Sequence, residues 1–534
     1  MSETKSGQLV TVKWAELLYF LSFGLMFAAK GVGLDEGQKL FEICAAVSLV
    51  CLAGKLCLTR HSLKEWMVMA LLVGLGAAIW KSSGENAALA AMLVIIGMKR
   101  VPIRRLFAVC LGIWSCTFAL SVTLGILHIR DGVVVVHQKL GLGPIIRWAL
   151  GYTHPNVLHV SYFILAALLL YAFDWHGKEL RKACAVLFLG NLLIFLFSIS
   201  YTGVLLMAGY LALSLYLDWR KSLSRPERIL LQCVLPLCVL FPLAGPFVAK
   251  GRVYDFFNKL LSTRFDLVKN YFTSFPVSLF GTPAYFTNTT AHLTLDSSFA
   301  YLLMFYGVAA FLLFVAGYWI LIRKFIREEQ KKELAMMIGI VVAAVTEQFL
   351  FNLSYKNLSF FFLGALLFDL LRPGKGRERA WWNREFSVLP WEDRELSLPD
   401  LAAVWRRKAK PYRRFGRPFL GALLGAGIAA AAIRGITVQL PVSVYFNRGL
   451  TEYRKEEDEV FLDLEQVPED FNSLVIGYEG PDTGMYCFSG NIVTMEWIRN
   501  VAGYGFLGME AALILAAAAV LLIPQGRGSG REHV

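Results

Sequence analysis

SSFAYLLMFYGVAAFLLFVAGYWIL, residues 297–321, runs for 25 residues without a charged side chain. A helix needs about 20 apolar residues to cross the roughly 30 Å hydrocarbon core of a bilayer, each residue rising about 1.5 Å. The stretch predicts a membrane span. Comparable runs lie on both sides of it, near 14–29, 39–58, 64–80, 85–98, 104–126, 157–173, 181–198, 202–217, 229–247, 333–351, 357–371, 417–436 and 505–524. The runs 85–98 and 357–371 are the shortest. The sequence therefore predicts an all-α polytopic membrane protein of about fourteen transmembrane helices.

Composition agrees. The chain has 534 residues, 56% of them hydrophobic and 17% charged, where a soluble protein carries about 25% charged residues. The net charge of +13 does not point to nucleic acid, because the basic residues cluster in short loops between apolar runs, as orientation in a bilayer requires. With a cytoplasmic N-terminus, about two thirds of the Lys and Arg fall on the inner side. These include Lys99, Arg100, Arg104 and Arg105 in one loop and a dense set from Arg372 to Arg417. The first run, Trp14 to Ala29, lacks a cleavage-like end and reads as an uncleaved first helix. Eight of the nine cysteines sit in apolar runs, and no C-x-x-C metal pattern occurs.

The boundaries expected are a membrane domain over 1–371, a basic cytoplasmic segment over 372–416, a transmembrane hairpin over 417–524 and a cytoplasmic tail over 525–534. The hairpin encloses 437–504, whose alternation in TVQLPVSVYF, EVFLDLEQV and SLVIGYEG predicts a small β-rich extracytoplasmic module.

Residues capable of chemistry gather on the outer side. The loop before the sixth span ends RWALGYTHPNVLH, with Arg147, His154 and Asn156. The loop before the tenth span holds STRF, with Arg264, and closes with His292 and Asp296. The turn SYTG carries Tyr201 and Thr202, and TEQFLFNLSYKN carries Glu347, Asn352 and Asn357. An ionisable residue within a span costs a few kcal/mol and faces a cavity or a partner, which marks Glu347. Asp296, followed by Ser297 and Ser298, has the form of a helix N-cap. Two guanidinium groups form a fork for phosphate oxygens. Fixed cations stabilise a departing diphosphate, and His or carboxylate side chains accept a proton.

In the order and placement of these motifs the chain resembles the O-antigen ligase and Wzy-type polysaccharide polymerase superfamily, especially the Gram-positive capsule and exopolysaccharide polymerases. The residues that carry the resemblance are Arg147, Gly151, His154, Pro155 and Asn156; Ser200 to Gly203; Arg264 and Phe265; Asp296, Tyr301 and Gly307; and Glu347, Asn352 and Asn357. It covers residues 14–371.

The resemblance implies a GT-C-like helical bundle in the bacterial cytoplasmic membrane, where the loop charges put both termini on the cytoplasmic side. The implied reaction is transfer from an undecaprenyl-diphosphate-linked glycan without metal or cofactor. Arg147 and Arg264 would bind the diphosphate. His154, Asp296, His292 and Glu347 would be the catalytic candidates, and Asn156, Tyr201, Thr202, Asn352 and Asn357 would contact acceptor or glycan. Implied partners are the polyprenyl-diphosphate-linked glycan, membrane lipid and polysaccharide assembly proteins, with no nucleic acid. Asp296 stands where ligases carry a histidine, and Tyr201 where the family often has arginine. Both departures favour polymerisation of repeat units over ligation of a finished glycan. A lipid-linked oligosaccharide flippase is the alternative from another class.

Overall fold

The computed structural model describes residues 9–130, 134–139, 143–286, 294–374, 380–389, 394–400, 416–438, 443–447, 461–463, 473–476, 484–488 and 491–522. His292, the tail 525–534 and much of 372–416 and 437–504 lie outside these residues.

The helices follow the apolar runs: α1 (Trp14–Gly31), α2 (Lys39–Leu58), α3 (Leu63–Ser83), α4 (Ala87–Ile96), α5 (Ile103–Ile126), α6 (Pro155–Ala172), α7 (Gly177–Ser198), α8 (Tyr201–Trp219) and α9 (Arg225–Val248). After two short helices, α10 (Gly251–Leu260) and α11 (Arg264–Ser274), come α12 (Ser298–Tyr301), α13 (Gly307–Arg327), α14 (Lys331–Ala343) and α15 (Ser359–Leu371). Two more, Gly416–Thr437 and Asn491–Leu522, follow near the C-terminus. Among the described residues ten helices are long and apolar enough to cross a membrane, with Ala87–Ile96 and Ser359–Leu371 as shorter apolar ones. The chain is a multi-pass, all-α membrane protein.

Burial places the helices. Two thirds of the apolar window of α6 is covered by protein (67%), against 17% for α2. The first is therefore central. The second presents Leu40, Ile43, Val47 and Val50 outward, as a helix solvated by lipid does.

The apolar run 297–321 is not one regular helix. A π-turn at Leu302–Tyr306 separates α12 from α13. Broken helices survive in apolar surroundings only when other groups take up the freed backbone bonds. Here the crossing segment 278–282 does so. Thr282 N–H donates to Met304 O (2.9 Å), Val308 N–H to Ser278 O (3.0 Å) and Ala309 N–H to Leu279 O (3.2 Å). The crossing needs two glycines. Gly281 (φ +87°) and Gly307 (φ +82°) both occupy the left-handed half of backbone space, and a Cβ on Gly281 would lie 1.9 Å from Phe305 O. Gly281→Val should therefore lower the melting temperature of the detergent-solubilised protein markedly. Overpacking alone costs about 1–3 kcal/mol, and the positive φ adds to it. An unchanged melting curve would show that the crossing is not tight.

The chain alternates between two ends of the bundle. At one end the N-terminal strand β1 (Leu9–Lys13) pairs antiparallel with Glu395–Pro399, and His61–Ser62 pairs with Glu385–Phe386. Sequence patterning did not predict these strands, which tie part of 372–416 to the first helices. At the other end Val134–Lys139 and Gly143–Trp148 form a hairpin, with Val135 opposite Arg147. Near the C-terminus Ser443–Asn447, Phe461–Asp463, Ser473–Ile476 and Gly484–Phe488 form one four-stranded sheet.

Candidate active site

Arg147 leaves the second strand of the hairpin and is 3% exposed. Its Nε–H donates to Ser198 O at the end of α7 (2.7 Å) and its Nη2–H to Asn156 Oδ1 in the first turn of α6 (2.6 Å). Two helix ends thus fix the plane of the guanidinium. Burial pushes its pKa down to about 10, Glu347 pulling it up and Arg264 pressing it down. The group remains a cation at neutral pH, and all three charges share one field.

Arg264 begins α11, after Ser262 and Thr263, both in the left-handed region. Its neighbour Phe265 is the anchor. The Phe265 ring packs among Phe241, Tyr254 and Phe257, over Gly245, where a Cβ would come within 2.8 Å. Arg264 Nε–H donates to Thr346 O and Nη1–H to Leu261 O, both at 2.9 Å. Its Nη2 faces two carboxylates, Asp296 Oδ2 at 3.0 Å and Glu347 Oε1 at 3.5 Å.

Glu347 follows the end of α14, which stops at Ala343, four residues short of it. The expected span 333–351 is thus shorter, and the carboxylate sits in a connection rather than on a helix. Ser298 holds that connection: its Oγ–H donates to Glu347 O, its Oγ accepts from Leu350 N–H (3.4 Å), and its N–H donates to Ala344 O (2.8 Å). Thr202 Oγ1 lies 3.5 Å from Glu347 Oε1. Arg147, Asn156, Thr202, Arg264, Asp296 and Glu347 therefore meet at one end of the bundle, although they come from segments up to 200 residues apart.

The capping expected of Asp296 is not what its carboxylate does. Ser297 occupies the N-cap of α12, and Asp296 instead bridges to Arg264. His154 caps α6, its Nδ1 accepting from Asn156 N–H (3.1 Å), and so stands at the margin of the cluster. Tyr201 stacks on Phe195 at 5.8 Å. Asn352 accepts from Ser354 N–H (3.2 Å). Asn357 is 2% exposed and donates to Tyr318 Oη (3.0 Å) and Leu350 O (2.9 Å). These last two brace the 350–359 segment and do not join the arginines.

Sequence reading missed a layer beneath the site. His159 is 1% exposed, with Nδ1 3.0 Å from Ser198 Oγ and Nε2 2.7 Å from Asn191 Oδ1. It orders the turn whose carbonyl holds Arg147. Gly203 of SYTG is glycine because a Cβ would lie 2.4 Å from the His159 ring. An ionisable residue inside the run 157–173 was itself the signal.

The last helix, expected as a span over 505–524, starts earlier, at Asn491, and the contacts of its first turns were missed as well. Trp148 Nε1–H donates to Glu496 (3.0 Å), Arg499 Nη2–H to Ile146 O (2.7 Å) and Arg499 Nε–H to Leu196 O (2.8 Å), with Arg499 and Glu496 ion-paired. Helix Asn491–Leu522 thus clamps the hairpin strand that bears Arg147 to the end of α7. Arg499→Ala should uncouple them and leave the buried Glu496 without its cation, and should lower the melting temperature of the detergent-solubilised protein, since breaking one side of a buried ion pair costs about 3–5 kcal/mol. An unchanged melting curve would show that the clamp does not hold the strand.

Among the described residues no group of three or more His, Cys, Asp or Glu is placed to hold a metal ion. Compared with protein-family models, curated proteins and solved structures, the chain matches none.

Proposed function

We propose that the protein is a glycosyltransferase of surface-polysaccharide assembly that polymerises polyprenyl-diphosphate-linked repeat units at the outer face of a bacterial cytoplasmic membrane. In this reading the chain spans the bilayer about fourteen times, with both termini inside and the sheet between the last two helices outside. The observation that carries it is the convergence of Arg147 and Arg264 from separate loops on Glu347. Two buried, preorganised cations suit a diphosphate whose charge grows as it departs.

In the reaction an acceptor sugar hydroxyl attacks the anomeric carbon of the donor. The bond from that carbon to the diphosphate oxygen breaks, and polyprenyl diphosphate leaves with the electron pair. Arg147 and Arg264 hold it. Glu347 takes the hydroxyl proton: its contacts to Arg264 and Thr202 are loose, at 3.5 Å, whereas Asp296 is held at 3.0 Å and keeps Arg264 in place. An apolar cavity of about 500 Å³ lined by Phe23, Met26, Leu52 and Trp80 reaches Leu353 and Tyr355, in the segment that carries Glu347, and suits the lipid tail.

The test is incubation of the purified protein with a lipid-diphosphate-linked repeat unit. A ladder of products spaced by one repeat supports the proposal. Transfer of a preformed chain in one step, without a ladder, would make it a ligase, and translocation without a new glycosidic bond would make it a transporter.

A further inference from the structure

Lys356 is a buried cation that the proposed reaction does not use. It lies in the connection between α14 and α15 that also carries Glu347, and it is 5% exposed. Its Nζ stands over the faces of two rings, Trp114 of α5 and Tyr152 of the turn between Arg147 and α6, each 5.8 Å from the ring centre. Such rings attract a cation but bring no net negative charge. The two carboxylates whose charge reaches Lys356 are committed elsewhere, Asp35 to Lys30 at 2.6 Å and Glu347 to Arg264 at 3.5 Å. Among the described residues no carboxylate stands at ion-pairing distance from it. A cation is costly to bury in that state. Burial pushes its pKa down to about 7, and an anion seated beside it would raise it again.

The backbone shows what the group adjoins. Tyr355 takes φ +57°, a strained value for a bulky residue and one that persists only where the surroundings enforce it. The turn sends neighbouring side chains two ways. Leu353 and Tyr355 line the apolar cavity of about 500 Å³, whereas Lys356 goes to Trp114 and Tyr152. The ammonium is thus carried by the residue next to the wall of the cavity assigned to the lipid tail. An amphiphile whose phosphate adjoins its apolar chain matches that order. Resting on the reaction proposed above, we propose that Lys356 is a third cation of the diphosphate site and holds the phosphate joined to the polyprenyl chain, leaving the sugar-linked phosphate to Arg147 and Arg264. The lipid phosphate then supplies the counter-charge that Lys356 lacks.

The experiment is equilibrium binding of fluorescent polyprenyl monophosphate and polyprenyl diphosphate to full-length wild-type and Lys356→Met protein in neutral detergent, with thermal melting of both proteins in the absence of lipid. Both lipids carry the phosphate next to the chain. Lys356→Met should therefore weaken both by the same factor, about tenfold or more, the scale of one charge-assisted hydrogen bond. The preference for diphosphate over monophosphate should survive. The variant should melt no lower than wild type, because methionine replaces a buried charge with an apolar side chain of similar length. Undiminished affinity for the monophosphate overturns the proposal. So does a loss confined to the diphosphate, which would place Lys356 with the arginines on the sugar-linked phosphate. A variant that melts well below wild type makes Lys356 a structural cation and overturns it too. Wild-type protein that binds neither lipid fails the reading of the reaction itself, a result distinct from wild-type binding that the substitution leaves unchanged.

Discussion

Arg264→Ala should produce protein that inserts into the membrane but makes no polymer. The substitution removes a guanidinium that bonds two carbonyls and faces two carboxylates. Breaking one side of a buried ion pair costs about 3–5 kcal/mol, so a lower melting temperature accompanies the loss. Stability alone does not separate a structural role from a binding one, and Arg147 supplies the control. Arg147→Lys keeps the charge but loses the fork that spans Ser198 O and Asn156 Oδ1, so it should stay folded and still lose at least about a hundredfold in turnover, the scale of one oxyanion donor. Cells carrying either variant should show only single repeat units on the lipid carrier. Polymer of normal length from both variants, at normal protein levels, would remove the arginines from the chemistry.

Glu347→Gln should have the second largest effect, and of a different kind. The amide is isosteric and keeps an oxygen for Arg264 and Thr202, but it cannot accept a proton. Loss of a general base costs typically 10²–10⁴ in rate. The loss should fall on kcat with KM almost unchanged, because both arginines proposed to hold the diphosphate remain. Asp296→Asn should cost far less, since Asp296 acts through Arg264. If Asp296→Asn were the more damaging of the two, the assignment of base and positioner would be reversed.

How much of this was legible beforehand depends on range. The apolar runs needed only length and hydropathy, and α2, α5 and α6 appear close to where they were read. The arginine and carboxylate positions stood out because charged groups near apolar helix ends require partners. Which partners they found was not legible. The pairing of Arg264 with Asp296, and not helix capping, joins side chains 32 residues apart in sequence, with no local pattern to announce it. The strand pairing of Leu9–Lys13 with Glu395–Pro399 is likewise set by partners some 385 residues apart in sequence. His159 was visible but overlooked, because a lone histidine in an apolar run looks like packing. Residues 491–504 were read as the end of the outer β-rich module, but they are the first turns of helix Asn491–Leu522, and those polar turns are the part that grips Trp148 and Ile146.

Under the proposed function Arg147, on the hairpin strand, and Arg264, at the start of α11, form one diphosphate cradle. Equilibrium binding of a fluorescent polyprenyl diphosphate, with the corresponding monophosphate for comparison, tests it without relying on turnover. Wild-type protein should bind the diphosphate at least about tenfold more tightly than the monophosphate, and Arg147→Ala should lose most of that preference, as removal of a charge-assisted contact of about 1.5–3 kcal/mol requires. Equal affinity for the two lipids in wild type, or an undiminished preference in the variant, would contradict it.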